Sequence, residues 1–128
     1  MQAMVIDDSR AMRMILRRVL TTAGFEVTEA GDGQEALDLL NATEEPPTLA
    51  LIDWNMPNMN GLEFVKAVRA IEKYSDVTLM MVTTESEHGQ IVRALAAGAH
   101  EYVIKPFTPD DIVEKLDLLG LTPAGAHS

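Results

Sequence analysis

Five short apolar runs punctuate this 128-residue chain, and helical periodicity follows each of them. The runs are Ala3 to Ile6, Phe25 to Ala30, Leu49 to Asp53, Val77 to Thr83 and Tyr102 to Ile104. After the first, Met12, Ile15, Leu16, Val19 and Ala23 recur at helical spacing until Gly24, a helix stop. Ala36, Leu37 and Leu40 share one helical face between Gly33 and Asn41, and Glu44-Glu45-Pro46-Pro47 reads as a loop. Asn60 can cap a helix that buries Val65 and Val68. Ile91, Val92 and Leu95 mark a fourth helix that ends near Gly98. A last one, Asp110 to Leu119, turns Ile112, Val113, Leu116 and Leu119 inward. Nearly continuous apolar strands between amphipathic helices predict an α/β fold: a doubly wound, five-stranded parallel sheet with five helices covering both faces. The run from Phe25 is more polar than the others and is expected at an edge. Right-handed crossovers then bring every strand's C-terminal end to one side of the sheet, where ligands of open α/β sheets bind.

That side gathers unusual chemistry. The first run ends in Asp7-Asp8, the third in Asp53, the fourth in Thr83, and the fifth is followed by Lys105. Two unit charges about 5 Å apart repel by roughly 3 kcal/mol at an effective dielectric of about 20. Three carboxylates in one cleft therefore need raised pKa values, a bound divalent cation or a nearby lysine. An all-oxygen site with open positions suits Mg2+, which keeps waters and pairs with phosphate. An aspartate carboxylate can attack phosphorus, and transfer of a multiply charged phosphoryl group depends on positioning and on neutralising its oxygens. Mg2+ and Lys105 would do that here, with the Thr83 hydroxyl on a third oxygen. Taken singly, Asp7 and Asp53 could as well be helix or turn caps and Thr83 an ordinary strand end. Five compatible residues at the strand ends make that reading a poor one for the set.

Composition narrows the rest. Ten basic against twenty acidic residues give a formal charge of −10, which disfavours direct contact with nucleic acid or an anionic membrane. The chain has no cysteine, so disulfides and thiolate metal sites are excluded. No apolar stretch approaches the ~20 residues of a membrane span. Met1-Gln2-Ala3-Met4 lacks a basic flank and is not a secretory signal. A cytoplasmic monomer built as one domain over residues 1–128 is expected, with its core at about 3–119 and a small, polar, flexible tail over 120–128.

The segments Val5-Ile6-Asp7-Asp8, Asp53-Trp54-Asn55-Met56-Pro57-Asn58-Met59-Asn60-Gly61, Met81-Val82-Thr83-Thr84-Glu85 and Tyr102-Val103-Ile104-Lys105-Pro106-Phe107 resemble the receiver domain of bacterial response regulators, in order and across residues 3–119. The likeness is to the CheY-type chemotaxis regulators in particular. The resemblance, and not the spacing of the strands, implies the sheet order 2-1-3-4-5. It implies a signalling switch of a two-component system, phosphorylated on Asp53 by a histidine kinase with Mg2+ as cofactor. Such a protein is a phosphoacceptor that assists its own phosphorylation and slow dephosphorylation, not an enzyme. Asp8 and Asp53 would bind the metal directly, Asp7 through water and Asn55 through its backbone carbonyl. Thr83 and Lys105 would hold phosphoryl oxygens. A cis bond at Lys105-Pro106 would aim the lysine inward. Thr83 and Tyr102 would be the switch pair, relaying the change to a protein-binding face on the fourth helix, fifth strand and fifth helix. Asn55 and Glu85 occupy the positions that tune phosphoryl lifetime in the family. The downstream protein target is not identified.

Three departures stand out. Asn60 replaces the usual Asp but caps equally well. Thr84 replaces a small residue and narrows phosphoryl access. Glu87-His88 opens the fourth helix where regulators that bind the flagellar motor tend to be basic, which puts a motor partner in doubt. Elsewhere, Arg10, Arg13, Arg17 and Arg18 read first as a solvated helix face and second as a docking surface beside the site. His88, His100 and His127 lack metal-ligand spacing and are expected at the surface. The eight methionines read as mostly core filler. Trp54 either packs on a neighbouring loop or reports Mg2+ and phosphorylation through its fluorescence. Three other functions compete. A phosphatase would want an acid at Asn55, which cannot carry a proton. A flavodoxin-like nucleotide binder would want a phosphate loop where Asp7-Asp8 stand. A degenerate receiver would lack key side chains that are all present.

Overall fold

The computed structural model describes residues 1–84 and 88–121. Among these the chain alternates strictly: β1 (Gln2–Ile6), α1 (Arg10–Thr22), β2 (Glu26–Ala30), α2 (Gly33–Ala42), β3 (Leu49–Ile52), α3 (Gly61–Arg69), β4 (Thr78–Thr83), α4 (His88–Ala97), β5 (Glu101–Ile104) and α5 (Pro109–Leu118). All pairings are parallel and the sheet order is β2-β1-β3-β4-β5, as the resemblance implied. The more polar β2 is an edge strand. Glu85, Glu87, the His88 side chain and residues 122–128 with His127 lie outside the described residues, so the expectations placed on them stay open.

Because side chains alternate across a strand, each central strand feeds two cores. Ala3, Val5, Leu49, Leu51, Met80 and Val82 pack with Leu16, Val19 and Leu20 of α1 and with Ile112 and Leu116 of α5. Met4, Ile6, Ala50, Ile52, Leu79 and Met81 pack on the other face with α2, α3 and α4. Met4, Met80 and Met81 are buried and Met12, Met56 and Met59 pack against the cores, whereas Met1 and Met14 are exposed, so the methionines are mostly core filler.

Helix starts follow side-chain chemistry. Ser9 and Asp32 cap α1 and α2. Asn60 forms a full capping box with Glu63 at α3, and Thr108 does the same with Asp111 at α5. The presence of Asn rather than Asp at position 60 thus leaves the cap intact.

Two features were not visible in the sequence. A 3-10 turn at Glu72–Tyr74 buries Tyr74, whose hydroxyl donates to Asn41 Oδ1 at 2.8 Å. Beside it, Arg69 at the end of α3 clamps the joint between α4 and the sheet. Its guanidinium donates to the carbonyls of Gly98 (2.9 Å), Tyr74 (3.1 Å) and Val77 (2.7 Å). Gly98 has a φ of 122°, and a side chain there would strike Arg69. His100 belongs to the same joint. Its Nδ1 accepts from Leu79 N–H at 3.2 Å and lies 3.2 Å from Arg69 Nη2, so although exposed it carries a structural bond.

Arg69→Ala should cost about 2–3 kcal/mol in urea unfolding, since it strips donors from several carbonyls. Desolvation, and then the Arg69 charge, hold the His100 pKa below its usual 6.5. The unfolded chain therefore takes up a proton that the folded chain refuses. Stability is complete above about 6.5 and is lost as pH falls below it. The wild type should lose more stability than His100→Asn between about pH 7.5 and 5.5. Equal losses in the two proteins would refute this.

Candidate functional site

The C-terminal ends of β1 and β3 lie side by side because Ile6 pairs with Ile52. Asp53 N–H continues that ladder to Ile6 O at 2.9 Å, and Asp7 N–H reaches Ala30 O at 3.1 Å on the other side. Both acids are thereby fixed by backbone, one residue beyond their strands. Asp7 is 1% exposed and Asp53 8%. Asp8 is exposed at the rim. Each of the three offers a carboxylate oxygen, and these oxygens all lie within 4.8 Å of one another.

Lys105 answers part of this charge. Its Nζ donates to Asp7 Oδ2 at 3.1 Å and to Asp53 Oδ1 at 3.3 Å. The Lys105-Pro106 bond is cis, as the resemblance implied, and Lys105 N–H donates to Thr83 O at 2.8 Å. Thr83 closes β4 and is buried. Asp7 Oδ1 takes a further bond from Ser9 N–H at 2.9 Å, and its carbonyl takes one from Arg13 Nη1 at 2.6 Å. One lysine against three carboxylates leaves a net negative pocket. Burial and then Asp7 push the Asp53 pKa up, against the opposing pull of Lys105 and the Trp54 amide. A cluster of hard oxygen donors with this excess of charge fits a divalent cation such as Mg2+.

Asn55, two residues past Asp53, and Thr84, next to Thr83, are both exposed. Gly61 matters to the geometry: a side chain there would collide with the backbone oxygen of Asp53 and with Met81. Asn58, at a φ of 66°, donates through its side chain to Asp32 Oδ2 at 2.9 Å and ties the loop after Asp53 to the start of α2. No sequence signal marked that tie. Trp54 does more than rest on a loop. It is buried in the core, and with Thr83 and Tyr102 it lines a cavity beneath α4.

The arginines of α1 keep much of the solvated face that the sequence suggested, with one addition. Arg13 and Arg17 bind Glu29 of β2 at 3.2 and 2.8 Å, so half of the basic set is engaged within the chain, while Arg10 and Arg18 remain exposed. The pairing was illegible because it needs the β2–α1 adjacency. The pair holds the Glu29 carboxyl below its usual range, with Arg17 as the larger cause.

A parallel five-stranded sheet carrying an acidic triad, a threonine and a lysine at its C-terminal edge defines a receiver domain. The response regulator receiver domain family matches residues 3–117, and the chain belongs to it. Among its relatives, a Campylobacter jejuni chemotaxis protein CheY homolog is 50% identical over 122 residues, spanning 94% of this chain and 93% of that one. Chemotaxis protein CheY1 of Helicobacter pylori is 42% identical over 93% and 96% of the two chains. The high-resolution structure of the chemotaxis response regulator CheY4 of Vibrio cholerae superposes with a TM-score of 0.83 at 36% identity, over 92% and 97% of the chains. The chain is thus the receiver domain of a CheY-like response regulator in two-component signalling, a signalling domain and not a conventional enzyme.

Since the Asp53 pKa is raised in the fold, the folded state holds that proton more tightly than the unfolded chain, and stability falls as pH rises through the folded value. Asp53→Asn should therefore stabilise the metal-free protein at neutral pH, by on the order of 1 kcal/mol once the forfeited Lys105 attraction is subtracted. Saturating Mg2+ should narrow or reverse the gain, because it stabilises only the wild type. A destabilised metal-free variant would contradict the repulsion.

Proposed function

We propose that Asp53 accepts a phosphoryl group from a histidine kinase and that the resulting aspartyl phosphate switches a protein-binding face. What supports this most is the position of Lys105 Nζ, within reach of Asp53 and Asp7 together while Asp8 closes the acidic set. Asp8 and Asp53 would hold Mg2+ directly, Asp7 through water and Asn55 through its carbonyl. The ion supplies charge neutralisation at the transferring oxygens.

In the forward step an Asp53 carboxylate oxygen attacks phosphorus. The phosphorus–nitrogen bond of the donor histidine breaks, and its electron pair returns to the imidazole. Lys105 and the Thr83 hydroxyl bind phosphoryl oxygens and spread the charge that develops. In the separate hydrolytic step water attacks the same phosphorus, the bond from phosphorus to the Asp53 oxygen breaks, and the free carboxylate and inorganic phosphate result. Asn55 cannot take a proton from the attacking water as a carboxylate would, so the phosphoryl group persists long enough to signal.

The readout begins at Thr83. As its hydroxyl turns to the phosphoryl group, Tyr102 moves into the cavity beneath α4 and the α4–β5–α5 face changes. The output is a protein–protein interaction made by a cytoplasmic monomer. The CheY relatives favour a chemotaxis-like target, and the sequence Glu87-His88 puts a flagellar one in doubt.

Intact-mass measurement after incubation with acetyl phosphate and Mg2+ should show the gain of one phosphoryl group. The gain should vanish with chelator and in Asp53→Asn. Lys105→Ala should lower the rate by about 10²-fold or more, the usual loss of one preorganised charge. An adduct that persists in Asp53→Asn excludes this reading.

A further inference from the structure

Tyr102 sits between two chemically distinct poles that no family resemblance assigned. On its outer side, Lys115 Nζ of α5 lies 5.0 Å from the ring centroid. That ammonium is itself fixed by Glu101 Oε1 at 3.0 Å, and the same oxygen accepts from Tyr102 N–H at 3.0 Å. The group is partly sheltered, with side-chain exposures of 30% for Lys115 and 22% for Glu101. A cation over a ring face is attracted by its quadrupole, and more so when partly desolvated.

On the inner side, Gln90 Oε1 of α4 is buried and has no hydrogen-bond partner among the described residues. A buried acceptor without a donor is costly, and such an atom calls for a partner. Gln90 lines the cavity beneath α4 together with Trp54, Thr83, Leu95 and Tyr102. The cavity's free space is about 10 Å³, room for the centre of roughly one water molecule. A phenol ring cannot enter until the walls shift, and Thr83 is one of those walls. Tyr102 is half-buried and borders the same cavity, so a phenol that can donate and an acceptor lacking a donor share one space.

We propose that Gln90 is the positioning residue that receives the Tyr102 hydroxyl when the ring turns inward, and that Lys115, fixed by Glu101, is the latch that holds the ring outward before phosphorylation. This rests on the Thr83–Tyr102 reading above and adds what sets each end of the travel. The switch ratio is then the balance between the cation–π attraction that the ring gives up and the hydrogen bond that its hydroxyl forms.

The chain has two tyrosines, so 3-fluorotyrosine labelling gives two 19F resonances, with Tyr102→Phe assigning them and Tyr74 as the internal reference. Spectra are recorded on the full chain with Mg2+, with and without beryllofluoride as the phosphoryl analogue. Acetyl phosphate labelling by intact mass is run on every variant. The Tyr102 resonance of the wild type should move on activation. In Gln90→Leu the adduct should form as in the wild type, but the inward-to-outward ratio should fall roughly three- to tenfold, the scale of one net hydrogen bond. In Lys115→Met the inactive spectrum should already shift toward the active position. A Gln90→Leu protein that phosphorylates and moves its ring like the wild type overturns the acceptor. An unmoved Lys115→Met spectrum overturns the latch. A wild-type ring that stays still although the adduct forms overturns the switch reading itself, and this inference with it.

Discussion

Repulsion among Asp7, Asp8 and Asp53 is the constraint on which the rest of the molecule depends. Their oxygens lie within 4.8 Å of one another, and among the described residues Lys105 is the cation bonded to them. Left to itself such a cluster would spring apart or protonate. It stays together because its members are anchored by backbone to a sheet whose central strands are buried on both faces. Asp53 is tied to Ile6, Asp7 to Ala30, and Lys105 to Thr83. The fold thus holds a frustrated charge arrangement in place.

The same edge connects the charged pocket to the cavity beneath α4. Thr83 ends β4 inside the pocket's neighbourhood and also lines the cavity that Trp54, Gln90 and Tyr102 share. A change in charge on Asp53 need travel only one residue to reach packing beneath α4. The Arg69 clamp on Gly98, Tyr74 and Val77 fixes the far end of α4, away from the cavity that Gln90 lines.

Much of this was legible from residue patterns. The apolar runs in Leu49 to Ile52 and in Thr78 to Thr83 place those strands, and parallel β-α winding alone brings Asp7, Asp53, Thr83 and Lys105 to one edge. Sheet order needed the family resemblance, because alternation of strands and helices does not say which strands are neighbours. What remained hidden depends on pairings distant in sequence. Arg13 and Arg17 looked like a free basic face until β2 brought Glu29 beside them. Asn58 gave no hint of Asp32, nor Tyr74 of Asn41. His100, expected as a plain surface residue, accepts a backbone bond from Leu79 because the start of β4 runs past it. Val92 and Leu95 have helical spacing, yet both are exposed and Ala94 is the residue of that turn that is buried.

Calorimetric titration of the purified protein with Mg2+, repeated on Asp8→Asn and Asp53→Asn, addresses the acidic pocket most directly. The wild type should show a single divalent site that weakens by at least about tenfold in each variant, the loss of one charged ligand. Wild-type and variant proteins that bind the ion equally, or a wild type that binds none, would contradict a pocket held for a cation.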